Sequence, residues 1–394
     1  TFALLPAFMA LSVYVHIPYC LQRCRYCDFT TFEQSEILPP AKYLEQIRAE
    51  IRSRNSLWED REIKTLYFGG GTPSLVDPEF IVSVYNELSN AGFKFQDGHE
   101  GTIEINPATL TREKLAIYRR AGINRFSVGA QTFDSQLLAR CGRKHTAEDT
   151  RETLKLLREQ NLNYSFDLLF ALPGQTLNDL RADLGEVASF DPPHLSAYCL
   201  TVPEGHVMST GRPPEGEQIE MFDLIEKSLA AIGTMKYEIS NFAKPGAESR
   251  HNVSYWNDSA YWGIGLSSHS YDPRGFGSRF WNSKSLKTYE KQMHDSDVPA
   301  DQREILKPHE SLTDFCHMHL RVLSGLSQDA LRQKYGPQIE ALVLTRLKRM
   351  HEHGWLECLE GHWRLTTQGQ LISNKVFEEL TFSAQELNPR GLTA

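Results

Sequence analysis

The chain contains no run of about 18 or more apolar residues, so nothing in it reads as a bilayer-spanning helix. It also lacks an excess of positive charge. Its 42 Lys and Arg stand against 50 Asp and Glu, a formal charge of −8 over 394 residues, which repels nucleic-acid phosphates unless a local basic face compensates. The apolar opening TFALLPAFMALSVYV lacks the basic flank and small-residue cleavage pattern of a secretory leader, and a cytoplasmic protein is expected. Cysteine is scarce: there are seven, three of them between positions 20 and 27. That odd, clustered set is unlike a disulfide framework and suits a reducing compartment. What is present, 40% hydrophobic and 23% charged residues, suffices for a large core with one or two smaller satellites.

Between residues 12 and 202 one theme recurs: a short β-branched or apolar run, a polar or glycine-rich turn, then a longer stretch of helical periodicity. Six strands are read, at SVYVHIP (12–18), TLYFGG (65–70), TIEINP (102–107), RFSVGAQ (125–131), SFDLLFALP (165–173) and HLSAYCLTV (194–202). Helices are expected near 40–55, 78–92, 111–121, 146–160 and 176–190, with Asp77, Thr111 and Thr146 as N-caps and Pro78 in a first turn. Strict β-then-α order requires right-handed crossovers and a parallel sheet. Six strands rather than eight predict an α/β chain built on a partial (β/α)6 TIM-like barrel with parallel strands. Chemistry in such a barrel sits where strands end and loops converge.

After residue 205 the pattern dissolves into one helix near 217–233 and an aromatic, loop-rich stretch over 240–285, expected to close the open side of the barrel. From about 300 a different unit is read. It has helices near 311–323, 327–335 and 338–353, a hairpin turning at Glu360 and Gly361, and a last helix from about 367. Together these predict a smaller α+β winged-helix-like domain, and three units in all: 1–205, 206–299 and 300–394. Arg346, Lys348 and Arg349 lie late in a helix, where they offset its dipole and stay solvated more readily than they face nucleic acid.

Cys20, Cys24 and Cys27 form C-x3-C-x2-C directly after the first strand. Three thiolates can hold three irons of a [4Fe–4S] cubane and leave the fourth iron without a protein ligand, an open and reactive metal. The spacing also admits structural zinc, with His16 or a distant residue completing four ligands. A ferredoxin-type run does not fit, because no fourth cysteine follows. Gly69, Gly70 and Gly71 end the second strand, where bare backbone can approach a ligand and meet an amino acid's charged ends. A tight turn explains that run equally well. Glu104, Gln131, Arg143 and Asp167 lie at or just beyond strand ends. An inward carboxylate needs a partner, and a ribose hydroxyl, a sulfonium or Arg143 are candidates.

YVHIPYCLQRCRYCDF resembles the signature of the radical S-adenosylmethionine (SAM) superfamily, in particular the branch containing oxygen-independent coproporphyrinogen III oxidase and a related group of haem chaperones. FGGGTPS, SVGAQTFD, GRKHT, DLLFALPGQT and HNVSYW resemble that branch too, in the same order over nearly the whole chain. The resemblance implies a [4Fe–4S] cluster on Cys20, Cys24 and Cys27. It also implies SAM held by Tyr14, Tyr26, Gly70, Gly71, Thr72, Glu104, Gln131, Arg143 and Asp167. In related proteins the cofactor chelates the open iron and is cleaved reductively at C5′ to a 5′-deoxyadenosyl radical.

Two features choose within the branch. Its oxidases usually carry another cysteine two residues after the third, whereas this chain has Phe29 there, after Asp28; CDF resembles the haem-chaperone group. The second feature is HNVSYW, with His251, Asn252, Tyr255 and Trp256. A histidine can ligate haem iron, aromatic rings can pack on the macrocycle, and residues four apart share a helix face. On chemistry alone a histidine among aromatics more often packs or caps; the match to the chaperones' haem-binding motif reverses that. The resemblance therefore implies a haem chaperone that delivers haem to acceptor haemoproteins such as respiratory enzymes. Oxidative decarboxylation of coproporphyrinogen III is the alternative, and catalysis is left open. Implied partners are haem, its acceptors and an electron donor, without nucleic acid; membrane association is at most peripheral, and a homodimer is compatible.

Overall fold

The computed structural model describes residues 10–295 and 298–387. All six expected strands form: β1 Leu11–Ile17, β2 Glu62–Gly70, β3 Lys94–Ile105, β4 Arg125–Gln131, β5 Asn163–Phe170 and β6 His194–Cys199. They lie side by side in chain order, every pair parallel. Around them run α1 Pro40–Arg54, α2 Pro78–Asn90, α3 Arg112–Ala121, α4 Ser135–Cys141, α5 Ala147–Glu159, α6 Leu177–Phe190 and α7 Glu215–Ala231. The helix starts are capped as read. Asp77 accepts from the Glu79 N–H, Thr111 from the Lys114 N–H, and Thr146 and Asp149 cap reciprocally. Helix α4 has no counterpart in the sequence reading, since its seven residues are too few for periodicity to register. Asp134 starts it by accepting two backbone N–H bonds, and left-handed Gly142 ends it.

Side chains alternate along each strand. One set, including Val13, Val15, Leu66, Phe68, Ile103, Phe126, Val128, Phe166 and Leu195, is wholly buried and packs with helix residues such as Ile47, Val84, Leu115 and Leu154. Each large side chain so covered stabilises by roughly 1.5–3 kcal/mol. The other set is polar: Tyr14 and His16, Thr65 and Tyr67, Thr102 and Glu104, Arg125 and Ser127, Ser165 and Asp167, His194 and Ser196. A closed barrel fills that face with branched apolar layers. A polar face must instead be satisfied by hydrogen bonds, water or ligand.

The stretch over 240–285 is more ordered than its composition announces. Tyr261–Ile264 adds parallel to β1, and His269–Asp272, Ser278–Trp281 and Arg303–Ile305 continue antiparallel. At the far edge Asn241–Ala243 pairs antiparallel with β6. Both edges are thus extended, and β1 and β6 do not pair. Helix α8, Arg250–Trp256, packs against the strands' N-terminal ends. Ser12 donates to Ser254 (2.8 Å), and Glu100 of β3 accepts the N–H groups of Arg250 (3.0 Å) and His251 (2.9 Å).

A second core gathers Leu312, Leu320, Leu331, Leu347, Trp363 and Val376. It joins helix Pro308–Arg321, a helical run Gln328–Glu352 broken at Gly336, and a three-stranded sheet with the hairpin Leu356–Leu359 and His362–Leu365. This is the winged-helix-like unit. Arg346 donates to the Glu379 and Thr381 carbonyls (2.9 Å each) and pairs with Glu386, while Arg349 pairs with Glu379. Two of the three basic residues noted in the sequence are therefore engaged within the unit. Among the described residues no helix is long and apolar enough to cross a membrane.

Candidate functional site

The cysteine loop leaves and returns at the C-terminal end of β1, because Tyr19–Cys20 pairs in parallel with Phe32–Glu33. The glycines after β2 lie directly against it. Gly71 N–H donates to the Ile17 carbonyl (2.9 Å) and Thr72 N–H to the Tyr19 carbonyl (2.7 Å). A Cβ on Gly71 would stand 2.6 Å from the Tyr19 oxygen, and one on Gly70, at φ +110°, would meet the His16 ring at 2.4 Å. Close approach and a left-handed turn thus both demand glycine.

A cavity of about 200 Å³ opens between this loop and the strand ends. Cys20, Cys24, Cys27 and Tyr26 line it from the loop; Gly70, Gly71 and Thr72 from β2 and the residues just past it; Glu104 and Asn106 from β3 and its end. Ser127, Gly129 and Gln131 enter from β4, Asp167 and Leu169 from β5, Tyr198 from β6, and Arg143 and Lys144 after α4. Of the expected cluster and SAM positions, only Tyr14 is not part of the lining. Its hydroxyl lies 3.1 Å from His16 Nδ1 and its ring stacks beside Tyr67. The sequence reading missed Asn106, Ser127, Gly129, Leu169 and Tyr198. Period-2 alternation counted from Glu104, Gln131 and Asp167 points to all but the last.

Arg143 is fixed by three arms. Nε donates to His145 Nδ1 (3.2 Å), one terminal nitrogen to the Gly129 carbonyl (2.7 Å), and the other to Cys24 Sγ (3.6 Å). The Thr72 hydroxyl points at Cys20 Sγ from 4.0 Å. None of the cysteines is in a disulfide. Burial pushes the Cys20 and Cys27 thiols up, and neighbouring thiolates add to the shift, so a bound cation would favour their deprotonation. Among the described residues no three His, Cys, Asp or Glu side chains converge closely enough to hold one metal ion. His16, the candidate fourth zinc ligand, has Nδ1 at Tyr14 and Nε2 2.8 Å from the Thr30 carbonyl, and burial lowers its pKa to about 4. Three thiols around a cavity, without a fourth protein ligand, fit a cubane in which each sulfur takes its own iron. They fit closed zinc poorly.

Elsewhere in the cavity wall, Glu104 accepts from the Tyr67 hydroxyl (2.9 Å) and the Gly70 N–H (3.1 Å). Burial, then the nearby Asp167 charge, push its pKa up to about 7, and burial raises Asp167 to about 6 against the pull of Ser196, Arg125 and Arg143. Two carboxylates poised near neutrality favour a ligand that brings positive charge. Gln131 (φ 68°) and Ala171 (φ 58°) are left-handed non-glycine residues at the ends of β4 and β5, each storing roughly 1–3 kcal/mol of strain.

The HNVSYW residues gather on α8, away from the cysteine cavity. His251 is 1% exposed and lies on the Tyr67 ring, with centroids 4.9 Å apart. Its Nδ1 is 2.8 Å from Thr65 Oγ1 and its Nε2 2.9 Å from the Tyr255 hydroxyl, and burial lowers its pKa to about 3. His251 and Tyr255 share a helix face, as their spacing requires, but both imidazole nitrogens are occupied. Tyr255 also packs edge-on against Tyr261 (4.7 Å). Trp256 lies under the Arg321 guanidinium (4.5 Å), whose Nε is 3.3 Å from buried Glu238. Asn252 donates its backbone N–H to Ser249.

A partial parallel barrel with three free thiols over a polar cavity at its C-terminal rim defines a class, the radical SAM proteins. The profile of the Radical SAM superfamily matches residues 14–187, and that of the HemN C-terminal domain matches residues 306–372. The Bacillus subtilis (strain 168) protein named Heme chaperone HemW is 35% identical over 375 residues, 93% of this chain and 98% of that one. Its Escherichia coli (strain K12) namesake is 30% identical over 389 residues, 93% and 97% of the two chains. The chain belongs to the HemW family. The solved coproporphyrinogen III oxidase (HemN) from Escherichia coli has the same fold, with a TM-score of 0.81 over 95% of this chain and 90% of that chain at 22% identity.

Proposed function

We propose that this protein is a haem carrier that binds haem and passes it to acceptor haemoproteins, with a [4Fe–4S] cluster and SAM at the barrel mouth influencing the transfer. The observation that carries this reading is Phe29. Where the branch's oxidases have a further thiol, a phenyl ring, 64% exposed, lines the cavity. Likeness to relatives named as haem chaperones over nearly the full chain supports it.

When bound, the cluster and cofactor supply one-electron cleavage of a sulfonium to a carbon radical. Cys20, Cys24 and Cys27 would hold the cluster, and Arg143 would fix Cys24. The backbone at Gly70, Gly71 and Thr72 would meet the methionine end, while Tyr26, Gln131, Glu104 and Asp167 would take the remainder; the enclosing wall limits water. His251 would hold haem iron after α8 opens, with Tyr255 and Trp256 on the macrocycle and Asn252 beside them. A cytoplasmic location and an external electron donor go with this reading.

Hemin added to the purified protein should shift its Soret band, and the shift should weaken in His251→Ala. An unchanged titration in that variant removes His251 as the ligand, and no shift at all removes the carrier. Vinyl-bearing product from coproporphyrinogen III, with reductant and SAM under strict anaerobiosis, would restore the oxidase alternative.

A further inference from the structure

Around the cysteines the chain carries charge of one sign. Segments 20–27 and 139–145 hold Arg23, Arg25, Arg140, Arg143 and Lys144 and no Asp or Glu, in a chain whose formal charge is −8. The fold brings the two segments together. The Arg25 N–H donates to the Cys141 carbonyl (3.0 Å), and Gly142 lies against the Arg25 stem, since a Cβ there would stand 3.4 Å from Cγ. Arg143 turns inward to Cys24 Sγ, whereas Arg23, Arg25, Arg140 and Lys144 are exposed. Arg23 and Arg140 donate to backbone carbonyls, of Cys27 (3.2 Å) and Pro173 (2.7 Å). Among the described residues none of these four cations forms an ion pair.

Arg140 stands in the last turn of α4, where it offsets the helix dipole. The other three have no such duty. Water screens them from the thiols beneath, but a group of like charges steers an approaching body of opposite sign. Nucleic acid is a poor candidate, because its hold grows with each phosphate neutralised and a long polyanion would run on over the acidic remainder of the chain. A small globular partner touches the rim alone.

Resting on the cluster proposed above, and independent of where haem binds, we propose that this rim docks a small acidic protein carrying a one-electron centre, which reduces the cluster through the cysteine loop. One electron leaves the partner's centre and arrives on the cluster; no bond forms or breaks. Leu21, 49% exposed on the same loop, adds apolar contact to the basic ring. The rest of the surface, acidic on balance, repels such a partner, so the attractive approach is also the one that faces the cysteines.

The test mixes reduced flavodoxin, an acidic flavoprotein, with the anaerobically reconstituted protein and follows the reduced cluster's paramagnetic resonance signal after rapid freezing. Reduced methyl viologen, a small cation, is the control reductant. The flavodoxin rate should fall as salt rises from about 50 to about 500 mM. It should also fall about tenfold or more in the double variant Arg23→Glu with Arg25→Glu, while the viologen rate holds. Arg140→Glu, outside the loop that bears the cysteines, should slow flavodoxin by less and again spare viologen. Lys348→Glu, an exposed site on the C-terminal unit, should change neither rate. Flavodoxin reduction indifferent to salt and to both rim variants overturns the docking surface, and so does slowing of the two reductants alike in both variants. Duplex DNA that binds wild type but not the double variant, with a flavodoxin rate insensitive to salt, gives the rim to nucleic acid and overturns the proposal. A wild-type protein that yields no cluster signal even with viologen removes the cluster itself.

Discussion

The Arg143 guanidinium stands 3.6 Å from the Cys24 sulfur, held by the Gly129 carbonyl and His145. A fixed cation and an N–H at a ligating sulfur favour the more electron-rich state of a cluster. Arg143→Met should therefore lower the reduction potential of the reconstituted cluster, with Arg143→Lys intermediate because lysine cannot reproduce the planar fork. Redox titration followed by paramagnetic resonance measures this, and equal potentials in all three proteins would deny Arg143 that role.

Glu104 and Asp167 predict a pH dependence with a definite sign. Their folded-state values of about 7 and about 6 lie above the ordinary 4.5 and 3.8. The folded chain thus binds more protons than the unfolded one between those limits, and the stability this contributes is lost as pH rises through 6 to 7. A cationic ligand has the opposite preference, so SAM should bind more tightly as pH rises through that window. Glu104→Gln should weaken SAM by roughly ten- to a hundredfold, the range for losing a charge-assisted hydrogen bond, and should flatten the pH profile. Calorimetric titration across the window checks both.

How much was legible depended on the range of the interaction. Caps at Asp77, Thr111 and Thr146 act within three residues, and the β1 to β6 pattern repeats, so local sequence announces both. The strand Tyr261–Ile264 is four residues long and pairs with a partner some 250 positions away, which no local pattern encodes. The spacing of HNVSYW places His251 and Tyr255 on one face. Whether that face meets solvent or Tyr67 depends on Thr65 of β2 and Glu100 of β3, both far from it in the chain. In the cavity, residues with distinctive chemistry stood out, while Ser127 and Gly129, which have none, show only when alternate positions are counted back from Gln131 along β4.

Buried neutral histidines predict acid lability at the barrel base. His251 titrates at about 3 when folded against an ordinary 6.5, because burial disfavours its charge. Its contribution to stability is present above about 6.5 and is lost as pH falls toward 3, where the unfolded chain binds the extra proton. Melting temperature should drop on acidification, and His251→Gln, which has no titrating ring, should show a shallower drop. Parallel melting curves from pH 7 to pH 4 would refute the point.

Glu50 of α1 is the strongest test of how the 261–293 extension is held. Its carboxylate is fully buried and accepts from Arg54 (3.3 Å), Asn282 (2.6 Å), Tyr289 (2.7 Å) and the Gly265 N–H (2.9 Å). Burial raises its pKa, and these donors pull the other way, Arg54 foremost. In Glu50→Ala the Arg54 guanidinium, itself 1% exposed, loses its carboxylate partner and keeps only neutral acceptors. Breaking a buried pair from one side costs about 3–5 kcal/mol. Glu50→Gln keeps an oxygen for part of the network and should cost less, about 1–3 kcal/mol. Because Gly265, Asn282 and Tyr289 all lie in the extension, damage should begin there, and limited proteolysis should cut within 261–293 before it cuts elsewhere. Denaturant unfolding of the alanine variant within about 0.5 kcal/mol of wild type, the scatter of a neutral surface change, would show that the extension is held by its apolar packing on α1 and not by this carboxylate.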